Sequence, residues 1–214
     1  MSTNFFTICS DLVKKKSVLR IYANKRLSSE VLLGKTIDIG GGRDADYIKF
    51  MPRGSGVSFE TFDVKAGAQI NFETDALPAA DGAYDTVLFL NVMEHIFNHQ
   101  HIANEVVRIT KPGGQVIGFV PFLMWYHPDH RDFFRYTHEA LRIIFERAGA
   151  SDITIEAVAP GPFSAAAHMI VQSFPRILRP LVFLPFYLFD ALFNLFRPGR
   201  SEVFALGYFF VLKK

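Results

Sequence analysis

The sequence predicts an α/β protein in which helices cover both faces of a doubly wound, mostly parallel sheet. Two observations support this fold class. Short apolar or β-branched runs alternate with longer stretches of helical periodicity along most of the chain. The run at 86–90 is almost wholly apolar, which is typical of a strand buried on both faces of a parallel sheet. The 214 residues are enough for one domain, 1–214, with a substantial core.

Seven strands are expected, each bounded by turn residues or by a change of period. The predicted strands are 36–39, 57–62, 69–72, 86–90, 116–120, 153–158 and 204–212. Helices are predicted at 94–109 and at 138–148, with Thr137 as the N-cap of the second. Residues 1–34 are expected to form a helical N-terminal segment, and residues 160–200 a helical insertion before the last strand.

Charge and cysteine content narrow the class of protein. A net charge of +2 is too small to indicate a nucleic-acid binder, whose surface usually concentrates basic residues. Cys9 is the only cysteine, which excludes an internal disulfide and a cysteine-based metal site within one chain. The N-terminus lacks the charged-then-apolar pattern of a signal peptide. We therefore expect a cytoplasmic protein that has no nucleic-acid partner.

Acidic residues mark the ends of the first three predicted strands. Asp38 lies near the end of the first strand, and Asp63 and Asp75 follow the next two. The glycines after the first strand, which let a bulky ligand approach the backbone, are Gly40, Gly41 and Gly42. Any one Asp equally fits a structural turn, because its side chain accepts from nearby backbone N–H groups. Three acids at the carboxyl edge of one sheet favour a ligand site.

The same glycines admit a second interpretation, a dinucleotide site. Residues 40–45 fit the loose pattern G-x-G-x-x-[GA], and Asp63 lies about twenty residues further on, as that fingerprint requires. Asp38 and Asp44 oppose it, because they put negative charge where a pyrophosphate would bind. A cationic sulfonium cofactor tolerates this acidity. An NAD(P)-dependent oxidoreductase is kept as an alternative function.

Four stretches, taken in order, resemble the class I methyltransferases, and within them the type 11 group. The stretches are 37–42, 74–78, 84–96 and 108–114. The resemblance covers residues 35–160 and implies a Rossmann-like, seven-stranded sheet with an antiparallel last strand. It also implies that the protein binds S-adenosylmethionine. The sequence departs from the family at Asp44, where a third glycine is common.

The resemblance assigns roles to residues at this edge of the sheet. It implies that Asp38 and the three glycines contact the methionine part of the cofactor, and that Asp63 contacts the ribose. Asn91 is expected near the methyl group. The residues implied to contact the adenine are Asp75, Ala76 and Leu77.

The segment 121–137, just past the fifth predicted strand, combines aromatic, acidic, basic and histidine side chains. It resembles the pattern H-x-x-D-[FYW]-x-R-[FY]-T of small methyltransferases, with His130 or His127 as the histidine. The candidate catalytic bases, chosen because histidine titrates near neutral pH, are His127, His130 and His95. The candidate acceptor-binding residues are Arg131, Asp132, Arg135 and Tyr136.

Structural roles compete with these functions. His95 equally fits a residue that caps or packs a helix, and Arg135 equally fits a loop staple paired with Asp132 or Asp129. Metal ligation by the two histidines of this segment together with Asp129 lacks a fourth partner, so no metal site is expected.

The insertion is apolar on almost every side of its helix. Residues 181–196 carry only Asp190 and Asn194 as polar interruptions besides Tyr187, and arginines flank the stretch. It is shorter than the ~20 residues of a membrane-spanning helix. Three interpretations stay open for 176–200: a lid, a homodimer interface, or peripheral membrane contact in the plane of the surface.

The sequence thus predicts methyl transfer from S-adenosylmethionine to an oxygen or nitrogen atom. The acceptor is a small molecule, a glycan or a lipid-linked compound. Membrane contact through the insertion would favour the lipid-linked class. The alternatives are the oxidoreductase and a non-catalytic binding module that keeps the methyltransferase fold.

Overall fold

A computed structural model describes residues 4–41, 45–62, 70–128 and 131–214. The strands are β1 Lys35–Ile39, β2 Ser58–Phe62, β3 Tyr84–Leu90, β4 Thr110–Pro121, β5 Ser151–Val158 and β6 Gly207–Lys213. The α-helices are α1 Phe5–Val13, α2 Val18–Leu27, α3 His99–Ile109, α4 His138–Arg147, α5 Pro162–Val171 and α6 Arg179–Phe196. Short 3-10 turns occupy Ile48–Phe50, Met93–His95 and Arg200–Phe204.

The strands form one mixed sheet in the order β2-β1-β3-β4-β6-β5. The first four strands of this order are parallel, and β6 runs antiparallel to both β4 and β5. The mostly parallel sheet with an antiparallel last strand is therefore confirmed. Because β1, β2, β3, β4 and β5 point the same way, the loops that follow them meet at one edge of the sheet.

The prediction of seven strands is wrong for the described residues, which form six. Residues 70–72, placed in the third predicted strand, lie in coil and a turn instead, and Gln69 lies outside the described residues. Polar side chains make this turn. The Asn71 side chain accepts from the backbone N–H of Glu73, and the Asp75 carboxylate accepts from the backbone N–H of Asn71. These local bonds compete with pairing to a sheet edge.

Two layers of helices cover the sheet. In β3, Val87 and Phe89 join the apolar cluster that contains α3 and α4, whereas Leu88 and Leu90 join the cluster of α1, α2, α5 and α6. This division explains why β3 is apolar at successive positions. Between β1 and β2, the described residues form only the 3-10 turn Ile48–Phe50, and the N-terminal helices pack in the second layer.

Helix boundaries follow local hydrogen bonds. The Thr137 side chain accepts from the backbone N–H of Ala140, so the predicted N-cap of α4 is confirmed. The helix predicted at 94–109 begins only at His99. The two residues just before it are held outside the helix, because the Glu73 carboxylate accepts from the backbone N–H groups of Phe97 and Asn98. This arrangement leaves the turn Met93–His95 as a separate element beside the sheet edge.

The insertion between β5 and β6 contains α5 and α6. Asp190, the acid inside the apolar helix, is buried and accepts from the backbone N–H groups of Phe163 and Ser164 at 2.9 and 2.7 Å. It thus satisfies unpaired donors at the start of α5. Gly161 is required here, because a Cβ at this position would lie 2.2 Å from the Asp190 carboxylate. One face of α6 is held against the protein by these bonds.

Candidate functional site

Asp38 lies near the carboxyl end of β1 and is fully buried. Its Oδ2 accepts a 2.5 Å hydrogen bond from the Tyr47 hydroxyl, and its Oδ1 has no partner among the described residues. Burial raises the pKa of Asp38 to about 7, and the Tyr47 hydrogen bond opposes the rise. An unpaired oxygen on a buried carboxylate favours a cationic ligand group, which would replace the lost solvation.

The backbone after β1 packs directly against neighbouring side chains. Gly40 has a φ of +83°, and a Cβ there would lie 2.6 Å from a methyl group of Val92. A Cβ on Gly41 would lie 1.7 Å from Asp38 Oδ2. Only glycine fits this approach, as expected for a ligand loop. The remaining predicted members of this group, Gly42 and Asp63, lie outside the described residues, as does Asp44.

The predicted adenine segment lies beside the loop after β3, where Glu73 bonds the start of α3. Asp75 is exposed, and hydrogen bonds from the Asn71 backbone and the Thr74 hydroxyl hold its pKa below the usual range. Its geometry matches the structural-turn interpretation. Ala76 is exposed, and Leu77 is buried.

A partly buried ion pair positions Leu77. Its backbone N–H donates to Glu105 at 2.6 Å, and its carbonyl accepts from Arg108 at 2.9 Å. Glu105 and Arg108 are themselves 2.8 Å apart. Glu105 and Arg108 thus bind the backbone N–H and carbonyl groups of Leu77. These bonds fix the position of a residue that the sequence assigns to adenine binding.

Asn91 is the first residue after β3 and adopts a left-handed backbone with a φ of 57°. Its N–H donates to the Phe119 carbonyl of the neighbouring strand at 2.9 Å. Positive φ is uncommon for a residue other than glycine and clusters at functional sites. Asn91 therefore lies at the same edge of the sheet as Asp38, and its place near the methyl group stays a prediction.

Residues 121–137 are called the acceptor segment below. An ion pair between Asp132 and Arg135 holds this segment in place. Arg135 donates to the two carboxylate oxygens at 2.6 and 2.8 Å and also to the carbonyls of Trp125 and Phe134. The Asp132 side chain is nearly inaccessible, and Arg135 lowers its pKa to about 2. This geometry matches the loop-staple alternative for both residues.

The other predicted acceptor-binding residues differ in exposure. Tyr136 is buried, and its hydroxyl donates to the Met93 carbonyl at 3.2 Å. The Arg131 side chain is exposed, while its carbonyl bonds the His95 ring. Tyr136 thus bonds the turn that follows β3. Among the predicted acceptor-binding residues, Arg131 is the one whose side chain is exposed to solvent.

Two of the three candidate bases come together. The rings of His95 and His127 are in T-shaped contact with centroids 5.2 Å apart, and His130 lies outside the described residues. Glu94, beside His95, is fully buried, and neither of its carboxylate oxygens has a hydrogen-bond partner among the described residues. Burial raises the pKa of Glu94 to about 8.

Sequence reasoning missed Tyr47 and Glu94. The signal for Glu94 was a charged residue within a run of apolar residues after a buried strand, which rarely occurs without a partner or a function. Tyr47 gave no such signal, because its bond to Asp38 crosses a loop without regular periodicity.

Among the described residues, one cavity borders this region and a larger one lies apart from it. A cavity of about 370 Å³ lies between Tyr47 and Trp125. It is also lined by three basic residues, Lys15, Lys16 and Arg20. Trp125 in turn stacks on His168 of α5, with centroids 4.9 Å apart. A larger cavity of about 580 Å³ lies between α2, α6 and the end of β5, and none of the predicted site residues borders it.

Comparison with known proteins identifies the family. A family profile described as "Methyltransferase domain" matches residues 15–155, which is more than half of the chain. The chain belongs to this family. Membership confirms the resemblance to S-adenosylmethionine-dependent methyltransferases, and it confirms S-adenosylmethionine as the cofactor predicted from the sequence.

The similar proteins agree with this assignment. An uncharacterized methyltransferase of Mycobacterium sp. (strain JLS) is 34% identical over 106 residues, which is 44% of this chain and 41% of that protein. Matches to the curated relatives cover between 23% and 44% of those proteins' length, so the chain corresponds to less than half of each.

Two solved structures share the fold. An S-adenosylmethionine-dependent methyltransferase from Archaeoglobus fulgidus aligns with a TM-score of 0.56 at 15% identity, covering 99% of this chain and 100% of that one. Phosphoethanolamine N-methyltransferase 2 of Haemonchus contortus, in complex with S-adenosyl-L-methionine, aligns with a TM-score of 0.53 at 17% identity, covering 89% and 50%. At these identities, the likeness shows the fold alone.

Proposed function

We propose that this protein transfers a methyl group from S-adenosylmethionine to an oxygen or nitrogen of an acceptor bound against residues 121–137. The observation that carries the proposal is the buried Asp38, whose Oδ1 lacks a partner among the described residues and whose Oδ2 lies so close to Gly41 that a Cβ there would clash with it. A carboxylate there fits the ammonium of the cofactor's methionine part. Asp38 would bind this group, and Tyr47 would hold the carboxylate in place through Oδ2.

The bound cofactor supplies an electrophilic methyl group on a sulfonium, which reacts by in-line displacement. The protein's contribution is orientation and exclusion of water. Asn91 and the turn Met93–His95 lie at the end of β3, and the acceptor segment follows β4 at the same edge. A base is needed where the acceptor is a hydroxyl or an ammonium group. His95, His127 and His130 stay the candidates for that role.

Calorimetric titration of the purified protein with S-adenosylhomocysteine and with NADH tests the cofactor assignment. We expect micromolar binding of S-adenosylhomocysteine and no binding of NADH. Asp38→Asn should weaken the first about tenfold to a hundredfold, because it removes a charge-assisted hydrogen bond of about 1.5–3 kcal/mol. Tyr47→Phe, which keeps the ring and the Asp38 charge, should have a smaller effect.

Circular dichroism of each variant separates loss of binding from loss of folding. Binding of NADH instead would support the oxidoreductase. Binding of neither ligand by a folded wild-type protein would support the non-catalytic module and contradict methyl transfer.

We further propose that the acceptor is lipid-linked and that α6 rests on an anionic membrane surface. The outward face of α6 exposes large apolar side chains, with Leu181 69%, Leu195 74% and Phe196 71% exposed. Exposed arginines flank this face, at Arg176, Arg197 and Arg200. Apolar side chains at the acyl boundary with cations at the headgroups are typical of an in-plane helix.

The buried Asp190 supports an in-plane helix over a spanning one. By length and composition alone, α6 is long and apolar enough to cross a membrane. Spanning would pull Asp190 away from the two backbone N–H groups that it bonds at the start of α5. Those donors and the carboxylate would then lie unpaired in lipid, which is costly.

Flotation with vesicles of phosphatidylglycerol and phosphatidylcholine tests this docking. We expect the wild-type protein to float with the anionic mixture and not with pure phosphatidylcholine. Leu188→Glu combined with Leu195→Glu should abolish flotation, whereas Ile143→Glu, on an exposed part of α4 away from α6, should not. Protein that stays at the bottom with anionic vesicles would contradict the proposal. A dimer in size-exclusion chromatography that only the double variant disrupts would identify this face as a homodimer interface instead.

A further inference from the structure

We propose that Glu94, His95 and His127 form a binding site for a divalent transition-metal cation on the acceptor side of the cofactor site. One ligand atom from each of these side chains lies within 4.8 Å of the others. Binding of the cation does not depend on the proposed function, whereas its use in the reaction does.

The state of Glu94 is the first argument. Its side chain is fully inaccessible to solvent, and both carboxylate oxygens lack a hydrogen-bond partner among the described residues. Among the described residues, the side chain recorded within ion-pair distance of Glu94 is His95, whose Nε2 lies 3.7 Å from Glu94 Oε1, beyond hydrogen-bond distance. A buried carboxylate without partners is rare because desolvation of its charge is costly. A coordinated cation would satisfy both the charge and the oxygens.

The orientation of the two imidazoles is the second argument. The Nδ1 of His95 lies 2.5 Å from the Arg131 carbonyl, which can only accept, so this contact favours the tautomer with the proton on Nδ1 and the lone pair on Nε2. The Nδ1 of His127 lies 3.3 Å from the Trp125 carbonyl and 3.5 Å from Asp132 Oδ2. Metal-binding histidines usually donate their second ring N–H to a carbonyl or a carboxylate in this way. Both rings therefore have Nε2 available as a ligand atom.

The chemistry of the three side chains selects the class of cation. Two imidazoles with one carboxylate suit Zn²⁺ and the other divalent first-row metals, whereas Mg²⁺ and Ca²⁺ prefer sites built from oxygen. Ligand atoms around one such ion are bonded at about 2.0–2.2 Å, so neighbouring ligands of a tetrahedral site lie about 3.3–3.6 Å apart. The three ligand atoms of the cluster lie within 4.8 Å of one another, so binding would draw the widest pair together by up to about 1.5 Å.

The position of the cluster suggests its use. Glu94 and His95 lie in the turn that follows Asn91, and His127 lies on the acceptor segment. Three protein ligands leave at least one coordination position open, as in catalytic metal sites. An oxygen of the acceptor would occupy that position, beside the edge of the sheet to which Asp38 belongs. The site therefore favours acceptors that present a hydroxyl group over those that present an amine.

The interpretation also changes the role of two predicted bases. As ligands, His95 and His127 would position the cation and would not accept a proton from the acceptor. The acidity of a coordinated hydroxyl would then come from the cation. The sequence offered two histidines of the acceptor segment together with Asp129 and lacked a fourth ligand. With Glu94, His95 and His127 as the three ligands, the acceptor supplies the fourth, so no further protein ligand is required.

Binding of Co²⁺ to chelator-treated, dialysed protein tests the site directly, because its visible absorption reports coordination by imidazole and carboxylate. We expect one Co²⁺ per chain, displaced by Zn²⁺. Glu94→Gln and, separately, His127→Gln should each lower the Co²⁺ affinity by about a hundredfold or more, in line with the loss of a direct ligand. His138→Gln, at an exposed histidine outside the cluster, should leave it unchanged.

Titration with S-adenosylhomocysteine on the same samples separates the two proposals. Co²⁺ binding that is lost in the variants while S-adenosylhomocysteine still binds would support both. Co²⁺ binding without S-adenosylhomocysteine binding would keep the cation site and contradict the methyltransferase activity. No Co²⁺ binding to the wild-type protein, or equal binding by the wild-type protein and His127→Gln, would overturn the cation site. His127→Gln leaves the buried Glu94 in place, so the test holds even if Glu94→Gln does not fold.

Discussion

The bidentate pair of Asp132 and Arg135 gives a prediction whose magnitude follows from the structure. The pKa of Asp132 is lowered from 3.8 to about 2, chiefly by the hydrogen bonds from Arg135, and its side chain is only 2% exposed. A shift of this size corresponds to about 2 kcal/mol of folding free energy at neutral pH. Asp132→Asn keeps the shape of the side chain but removes its charge. We therefore expect the free energy of unfolding at pH 7 to fall by about 2 kcal/mol.

The pH dependence of this effect has a definite sign. Because the pKa of Asp132 is lower in the folded protein than in the unfolded chain, its contribution is complete above about pH 5. It is lost as the pH falls through the folded value near 2. The difference in stability between the wild-type protein and Asp132→Asn should therefore shrink between pH 4 and pH 2. At neutral pH the melting temperature of the variant should be lower by about 4–8 °C.

Urea unfolding followed by circular dichroism at a series of pH values measures these differences. Asp46→Asn is the matched control, because Asp46 also pairs with a basic residue three positions away, Lys49, but in an exposed position. Its substitution should have a much smaller effect on stability, because solvent and salt screen an exposed ion pair. An equal loss of stability in both variants, or a difference that does not change between pH 4 and pH 2, would refute the assignment of Asp132 and Arg135 as a loop staple.

Two further predictions concern the buried carboxylates. Because the pKa of Asp38 is raised to about 7, the free protein holds a proton there at pH 6.5 that an ammonium ligand must displace. Calorimetry in two buffers of different ionisation enthalpy should show that the wild-type protein releases a proton when it binds S-adenosylhomocysteine. The Asp38→Asn variant should release none. Equal proton release by the wild-type protein and the variant would contradict the role of Asp38. Asp190→Ala should destabilise the protein by about 2 kcal/mol in urea unfolding, because it leaves two backbone N–H groups of α5 unpaired. An effect below about 0.5 kcal/mol would contradict its capping role, and Asp190→Asn, which keeps one acceptor oxygen, should have an intermediate effect.

Particular residues show which parts of the fold could be predicted from the sequence. β3 was predicted because each of its faces needs apolar side chains, and the end of β1 because Asp38 precedes a run of glycines. The missing strand and the late start of α3 both depend on residues 71–75. There, side chains bond the backbone nearby and, through Glu73, backbone 24 and 25 residues away. Such bonds leave no periodic pattern.

The candidate site also contains residues that the sequence predicted and contacts that it did not. The sequence indicated Asp38, Asn91 and the histidines, because polar residues after buried strands are unusual and the strands share a direction. It did not predict the bond between Tyr47 and Asp38 or the cluster of Glu94 with His127. These contacts depend on how loops fold back over the sheet edge, and no spacing within one loop encodes the path of another.

The stacking of Trp125 on His168 links two parts of the molecule that the chain keeps far apart. His168 lies on α5, whose first turn is bonded by Asp190 of α6, and Trp125 lies on the acceptor segment. A single helix of ten residues thus stands between the apolar surface and the loop that would hold the acceptor. α5 therefore connects α6 to the acceptor segment through two contacts, Asp190 with the start of α5 and His168 with Trp125. A displacement of α6 against a bilayer or a second chain would have to be absorbed within α5 or passed on to Trp125.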